Sequence, residues 1–482
     1  MKNIIFDFNN MLSSSVGNKH GVTPAELKAI LPDLRQAHRH ILRIISDDYN
    51  RINLGLEWMN LPLQAKGSVN EIQETGAEIA RKYENVIFLG IGGSFLGLKA
   101  AQDALLAPYY NEFKPQRKNH PRIYFEGNNL DPDTLNALLR NLNPYKTFIV
   151  VISKSGETTE TKAAFTVAEN WLKKAMGKKY GLQVIAITDP QSGTLRRYAL
   201  EKQGEDSLSF RSLALLKGVG GRFSELNMGL LHLAIAGIKI QEVLDGAKAM
   251  RSRCSVKNLL KNPAYMYAAL QNILYRKKGK SIAVMMPFSE TLKSTADWYV
   301  QLLAESLGKK YSRKIKTAGN AREIWERDLK RVVHAGRTPV SARGTNDLHS
   351  IQQNNIEGPN DKTATFIKVQ DFKTDIKIPG RNDILSGKKF SELMHLAQEA
   401  TEWALVEEAR PNCAIVMPEV SPFYWGQLLF FFEVATAVEG ELLNINAFDQ
   451  PGVESYKNYM YYKLGKPGFK PSPSRKDKKF IL

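Results

Sequence analysis

Cysteine is scarce: the chain carries two, Cys254 and Cys413, and no Cys-x-x-Cys pair. Two thiols cannot by themselves form a metal-ligand cluster, and nothing points to zinc or redox work, so both read as packed free thiols in a reducing compartment. Long apolar runs are missing as well. Ile4, Ile5 and Phe6 are interrupted by Asp7 and followed by Asn9 and Asn10, which leaves no signal-peptide core. The most apolar stretch, residues 423–438, contains Gln427 and Glu433 and falls short of the roughly 20 residues that a bilayer span requires, so it reads as a buried helix. Secretion and membrane anchoring are not expected, and a cytoplasmic protein is. Acidic residues are outnumbered: 49 Asp and Glu face 67 Lys and Arg, a formal net charge of +18. Such a surface attracts anions, whether phosphorylated metabolites, nucleic acid or acidic lipid. No recognised nucleic-acid module accompanies the charge, so nucleic acid is not expected as the partner.

What is present suits a globular enzyme-sized chain. With 43% hydrophobic and 24% charged residues over 482 positions, two or three packed units are expected. Residues 1–84 hold no strong strand signal; residues 23–50 show helical spacing, with a break expected at Pro32 and Asp33. From Asn85 the pattern changes to short apolar runs, Gly- or Ser-rich turns and helical segments, the pattern of parallel βαβ units. Strands are predicted at 86–89, 123–125, 148–152 and 184–187. After the glycines at 218–221 the pattern resumes, with strands at 282–286, 366–369 and 414–417 and helices at 263–276 and 292–306. Two tandem α/β units fit better than one sheet. The Pro- and Lys-rich tail from Lys466 should lack regular structure.

Six segments carry chemistry. Gly90-Ile91-Gly92-Gly93-Ser94 ends a strand and opens a helix; it either cradles a ligand or packs strand tightly against helix. A dinucleotide site would want glycine at 95, where Phe95 stands, so an NAD-dependent dehydrogenase is disfavoured. In the run Ser153 to Thr159, hydroxyls, Lys154 and free helix N–H groups would make a phosphate cup, or an ordinary helix cap; Glu157 is awkward in a cup because it would repel the anion. Arg222 follows Gly220 and Gly221 and offers either a fixed cation for an oxyanion or a surface salt bridge. Gln301 and Glu305 share a face of the helix that ends near Lys309, where a solvated glutamate is the common case. His349 lies just beyond a Gly-Thr-Asn turn, either facing a cleft or incidental to a capped helix. The run from Phe448 to Lys457 is a Pro-Gly turn before a helix.

Taken in this order, GIGGS, SKSGETT, GVGGRFS, AESLGK, GTNDLH and FDQPGVESYK resemble the glucose-6-phosphate isomerase (phosphoglucose isomerase) family over about residues 85–466. The resemblance implies an α/β fold of two tandem sugar-isomerase domains, each a flavodoxin-like three-layer α/β/α unit. The expected layout is a helical N-terminal region at 1–84 packing on the second domain, domains at 85–240 and 241–440, and a C-terminal helix and basic tail at 441–482. It also implies a homodimer with active sites at the subunit boundary, a hexose 6-phosphate substrate, and no metal or redox cofactor. Matched segment by segment, Glu305 is the proton-transferring carboxylate, His349 the ring-opening histidine reaching in from the partner subunit, Lys457 the lysine assisting ring opening, and Arg222 the arginine facing the enediolate. Ser153, Lys154, Ser155 and Thr158 match the phosphate loop, and Gly93, Ser94, Gln301 and Gln450 other substrate contacts. Position 304 is Ala where relatives often have Gly. A non-catalytic sugar-phosphate regulator of the same fold is the alternative, which would need the phosphate cup but neither Glu305 nor His349.

Overall fold

In the computed structural model, residues 3–380 and 383–469 are described; the expectation for the tail beyond them, at 470–482, lies outside the described residues. Twelve strands occur among them: β1 (Ile5–Asp7), β2 (Asn85–Leu89), β3 (Arg122–Glu126), β4 (Thr147–Ile152), β5 (Val184–Thr188), β6 (Arg211–Ala214), β7 (Ile282–Pro287), β8 (Lys309–Ala318), β9 (Arg322–Ala335), β10 (Thr338–Ser341), β11 (Lys362–Asp371) and β12 (Asn412–Glu419).

The first sheet is wholly parallel, in the order β3-β2-β4-β5-β6. Its central runs, such as Val86-Ile87-Phe88-Leu89 and Phe148-Ile149-Val150-Val151-Ile152, are buried on both faces because helices cover both sides. Counted within the sheet, the order is 2-1-3-4-5, and it reverses between β2 and β4. A crevice opens at the carboxyl ends of such a pair, and ligands of open α/β sheets bind there. The GIGGS turn follows β2 and the SKSGETT loop follows β4, so both stand at that point.

The second sheet runs β1-β12-β11-β7-β10, parallel except for β1, which pairs antiparallel with β12. The sequence pattern gave no strand signal at β1, since three residues are too few to show a period. The helix Pro24–Ile45 also corrects an expectation: it runs unbroken through Pro32. Pro32 and Lys28, whose carbonyl loses its partner, both face solvent, while Ile30, Leu34, Ile41 and Ile44 are buried on the opposite side and hold the helix. Residues 309–341, without a strand expectation, contain the antiparallel hairpin β8–β9 and the edge strand β10.

The helix Pro422–Leu442, packed among other helices and against β12, is apolar all round and buried along most of its length, as its sequence suggests. It crosses the helix Ile240–Cys254 so closely that a β-carbon on Gly246 would fall 1.9 Å from the Phe423 carbonyl oxygen, and one on Gly426 2.1 Å from that of Val243. Among the described residues no helix is long and apolar enough to cross a membrane.

Ion pairs and hydrogen bonds fasten the hairpin to this frame. Arg313 grips Glu441 with two bonds of 2.6 and 2.9 Å and lies 4.1 Å over the Trp325 ring. The His40 ring bridges Glu441 (2.6 Å) and Glu323 (3.0 Å). Burial lowers the His40 pKa, but the hydrogen bonds and charges of the two carboxylates outweigh it and the pKa is raised.

One buried pair has no cation. Glu225, hydrogen-bonded at 2.8 Å by the Trp298 indole, meets Glu433 of the central helix in the core. Burial raises both carboxyl pKa values; the charge and hydrogen bond of Glu225 raise that of Glu433 further, while the hydrogen bond with Glu433 and that from Trp298 hold Glu225 the lower of the two, so the pair keeps a proton on Glu433. A raised folded-state pKa stabilises fully below the unfolded carboxylate value and loses that contribution as pH climbs through the folded value. Glu433→Gln should therefore leave the melting temperature unchanged at pH 4 and raise it at pH 8.5 relative to wild type, read by differential scanning fluorimetry; an equal change at both pH values would rule out the shared proton.

Candidate active site

Gly90 continues the sheet by donating to the Glu126 carbonyl at 3.1 Å, and the chain then turns through Gly92–Ser94 into the helix Leu96–Leu105. Gly93 is glycine for packing: a β-carbon there would sit 2.1 Å from the carbonyl carbon of Gly221. The turn Gly221–Phe223 thus rests backbone to backbone on the GIGGS turn, which fixes where Arg222 emerges. Ser94 is half-buried beside it.

Arg222 is 2% exposed, so the surface salt-bridge reading is excluded. All five guanidinium donors are engaged. Nε donates to Ser306 Oγ (2.7 Å), Nη1 to Glu305 Oε2 (3.0 Å) and Gln450 Oε1 (3.0 Å), and Nη2 to the carbonyls of Ala447 (2.7 Å) and Asp449 (3.1 Å). Burial lowers its pKa, opposed by the Glu305 and Asp449 charges; the group stays cationic because guanidinium starts so high.

Glu305 is near the end of the helix Lys293–Leu307, and Gln301, one turn earlier, donates to its Oε1 at 3.1 Å. Gln301 Oε1 is buried with no hydrogen-bond partner among the described residues, which leaves an acceptor ready for a ligand hydroxyl. The sequence reading passed over Lys309, the last residue of AESLGK. Its Nζ donates to the Glu305 carbonyl and, at 2.8 Å, to that of Asp449. A lysine four residues after the glutamate, just past the Gly308 helix end, was the available signal.

The second cluster is the loop after β4. Ser153 is buried and its Oγ accepts from the Gly156 N–H (3.0 Å); Ser155 Oγ accepts from that of Glu157 (3.1 Å). Thr158 precedes the helix Thr159–Met176 without capping it by a side-chain bond, so the ordinary N-cap reading does not hold at Thr158, and Lys154 is exposed beside it. Gly156 has φ +77° and no room for a β-carbon, which would lie 2.4 Å from the Leu195 nitrogen. Glu157 turns away from the cup: it pairs with Lys162 (3.5 Å) and Lys466 (3.3 Å), and a hydrogen bond from Thr194 leads the interactions that hold its pKa low.

The short helix Glu454–Lys463 connects the two clusters. It begins directly beyond Gln450 and Pro451–Val453, and at its far end the Tyr461 hydroxyl donates to the Glu157 carbonyl at 3.2 Å. Ten residues span about 15 Å. Lys457 lies midway, hydrogen-bonded to Glu454 at 2.8 Å; partial burial lowers its pKa but the Glu454 bond and charge raise it overall.

His349 is not brought to either cluster. It is exposed on the turn Asn346–His349, anchored by Asp347 to the Arg343 backbone, and Arg343 pairs with Glu290 ahead of the helix Lys293–Leu307. Glu305 lies at the opposite end of that helix, about 18 Å along its axis.

A model of the family described as phosphoglucose isomerase matches residues 68–464. The chain is 39% identical over 439 residues to a glucose-6-phosphate isomerase of Carboxydothermus hydrogenoformans, covering 89% of this chain and 90% of that protein. A solved structure of a hypothetical protein from Thermus thermophilus aligns with TM-score 0.79 at 30% identity, over 96% of this chain and 99% of that one. A glucose-6-phosphate isomerase structure from Chlamydia trachomatis, at 23% identity, covers 85% of this chain and 77% of that one with TM-score 0.65 and shares the fold.

Removing the guanidinium strands a carboxylate and two backbone carbonyls together. Arg222→Met should cost about 3–5 kcal/mol of stability, with Arg222→Lys intermediate because an ammonium has three donors for five acceptors; denaturant unfolding measures both, and a loss below about 1 kcal/mol in Arg222→Met would show that the network is not cohesive.

Proposed function

The chain belongs to the phosphoglucose isomerase family, and from that premise we infer how its own residues carry out the reaction. It catalyses the reversible isomerisation of glucose 6-phosphate and fructose 6-phosphate, the activity that its relatives' names carry. In our reading the phosphate is bound by the hydroxyls of Ser153, Ser155 and Thr158, by Lys154 and by the open first turn of Thr159–Met176. That grip does no chemistry; it turns remote binding energy into orientation at C1 and C2.

Ring opening needs a proton delivered to the ring oxygen and one taken from the anomeric hydroxyl. Lys457 and a histidine are assigned to this exchange, since each side chain can both donate and accept a proton. We assign the histidine to His349 of a second copy in a homodimer. What supports this is the placement of His349 at the far end of its own catalytic helix, where it cannot serve the Glu305 of the same chain without a large displacement.

In the open aldose, Glu305 takes the proton from C2, leaving a cis-enediolate; a proton passes from the C2 hydroxyl to O1, and Glu305 returns its own proton to C1, so that one carboxyl group makes both carbon transfers and the ketose results. The ion pair with Arg222 at 3.0 Å is the observation that carries this assignment, because it fixes the base beside the charge that the enediolate needs. With every donor spent, Arg222 acts as a fixed positive field, and its link to the exposed Gln450 is the one a ligand can replace. A cytoplasmic setting accords with the two buried, unpaired thiols.

Glu305→Gln should abolish conversion of fructose 6-phosphate in a dehydrogenase-coupled assay while binding of a sugar-phosphate analogue survives; near-normal turnover would remove Glu305 from the base role. The trans assignment has its own measurement. Glu305→Gln and His349→Gln chains, each inactive, should regain about one quarter of wild-type activity after subunit exchange, because half the dimers then hold one complete site. No recovery despite confirmed exchange would place His349 in cis.

A further inference from the structure

Lys309 lies 6% exposed at the start of β8, and its Nζ reaches two chain segments at once. It donates to the carbonyl of Glu305 at the end of the catalytic helix and, at 2.8 Å, to the carbonyl of Asp449 in the loop that carries Gln450. The Asp449 carboxylate is 3.6 Å away as an ion-pair partner. Asp449 O also accepts from Arg222, so Lys309 and Arg222 approach one backbone oxygen from two sides. A cation this buried is retained at a cost in desolvation, which an apolar residue would avoid.

Resting on the assignment of Glu305 as the base, we propose that Lys309 is a positioning residue for the isomerisation: it binds the backbone of Glu305 to the Asp449–Gln450 loop and so fixes the carboxylate relative to the sugar's C1 and C2. It touches neither substrate nor reacting atoms. Its effect falls on turnover and not on substrate capture, because the phosphate is held by the separate Ser153–Thr158 loop.

The charge on Lys309 also titrates in an accessible range. Burial above all, then the neighbouring Arg222 charge, pulls its pKa down to about 8 against the opposing pull of Asp449 and Glu305. Arg222, Glu305 and Asp449 are the charged groups facing it from the turn Gly221–Phe223, the helix Lys293–Leu307 and the C-terminal loop. As pH rises through that value the ammonium loses its proton and one of its ties weakens, so turnover declines on the alkaline side.

The test compares Lys309→Met and Lys309→Arg with wild type, using active-site titration to count folded sites. Lys309→Met should lose kcat on the order of 10²-fold, the scale of a misplacement of about 1 Å, with KM for fructose 6-phosphate within about twofold. Lys309→Arg should recover most of the turnover and move the alkaline limb of kcat upward by more than one pH unit, since guanidinium does not titrate there. A merely structural lysine would lower the melting temperature without moving either quantity per folded site. Wild-type kcat in Lys309→Met, or an unshifted alkaline limb in Lys309→Arg, overturns the proposal. If Glu305→Gln retained activity, the reading beneath it would fall instead.

Discussion

One buried guanidinium organises this molecule's reactive end. Arg222 is reached by three parts of the chain that are far apart in sequence: the GIGGS turn beneath its backbone, the helix bearing Glu305 and Ser306, and the loop bearing Ala447, Asp449 and Gln450, all meeting its own turn. A cation so enclosed is stable only if every donor is answered, and here each one is. The arrangement is over-determined: none of the acceptors can move far without leaving a charged N–H bare. Rigidity of this kind gives electrostatic stabilisation its value, because the field is already in place before charge develops on the substrate.

The two sheets divide the work. The reversal of strand order between β2 and β4 creates a crevice that presents a helix N-terminus and hydroxyls to an anion, while the second sheet delivers the carboxylate on a helix packed against its face. The stretch from Gln450 to Tyr461 joins them, touching Arg222 at one end and the loop after β4 at the other. The Ser153–Thr158 loop and the Arg222–Glu305 cluster are therefore mechanically connected through a single helix of ten residues.

Much of this was legible in residue order. The seven strands predicted from apolar runs are present, since runs such as Val-Ile-Phe-Leu between turns leave a doubly covered strand as the simplest reading. The hairpin β8–β9 escaped notice because Lys, Arg and Glu alternate along it without a clean apolar face; it holds by Arg313 and His40 bridges that sequence periodicity does not register. Pro32 misled for the opposite reason: a local breaker was overridden by tertiary burial of the opposite face. At the site, Arg222, Glu305, Gln301 and Gln450 are joined by hydrogen bonds, which their separate segments did not display. The role of Gly93 in packing, the outward turn of Glu157 and the reach of Lys309 depend on through-space neighbours, which no single segment displays.

Strand β1 closes the second sheet from the very start of the chain, pairing Ile5 with Val416 across about four hundred intervening residues. During vectorial synthesis that partner emerges roughly 20 to 80 seconds later at ordinary elongation rates. The first sheet, assembled from successive neighbouring strands between 85 and 214, needs no such wait. The first sheet can thus close on the ribosome before the strand that β1 awaits has been made.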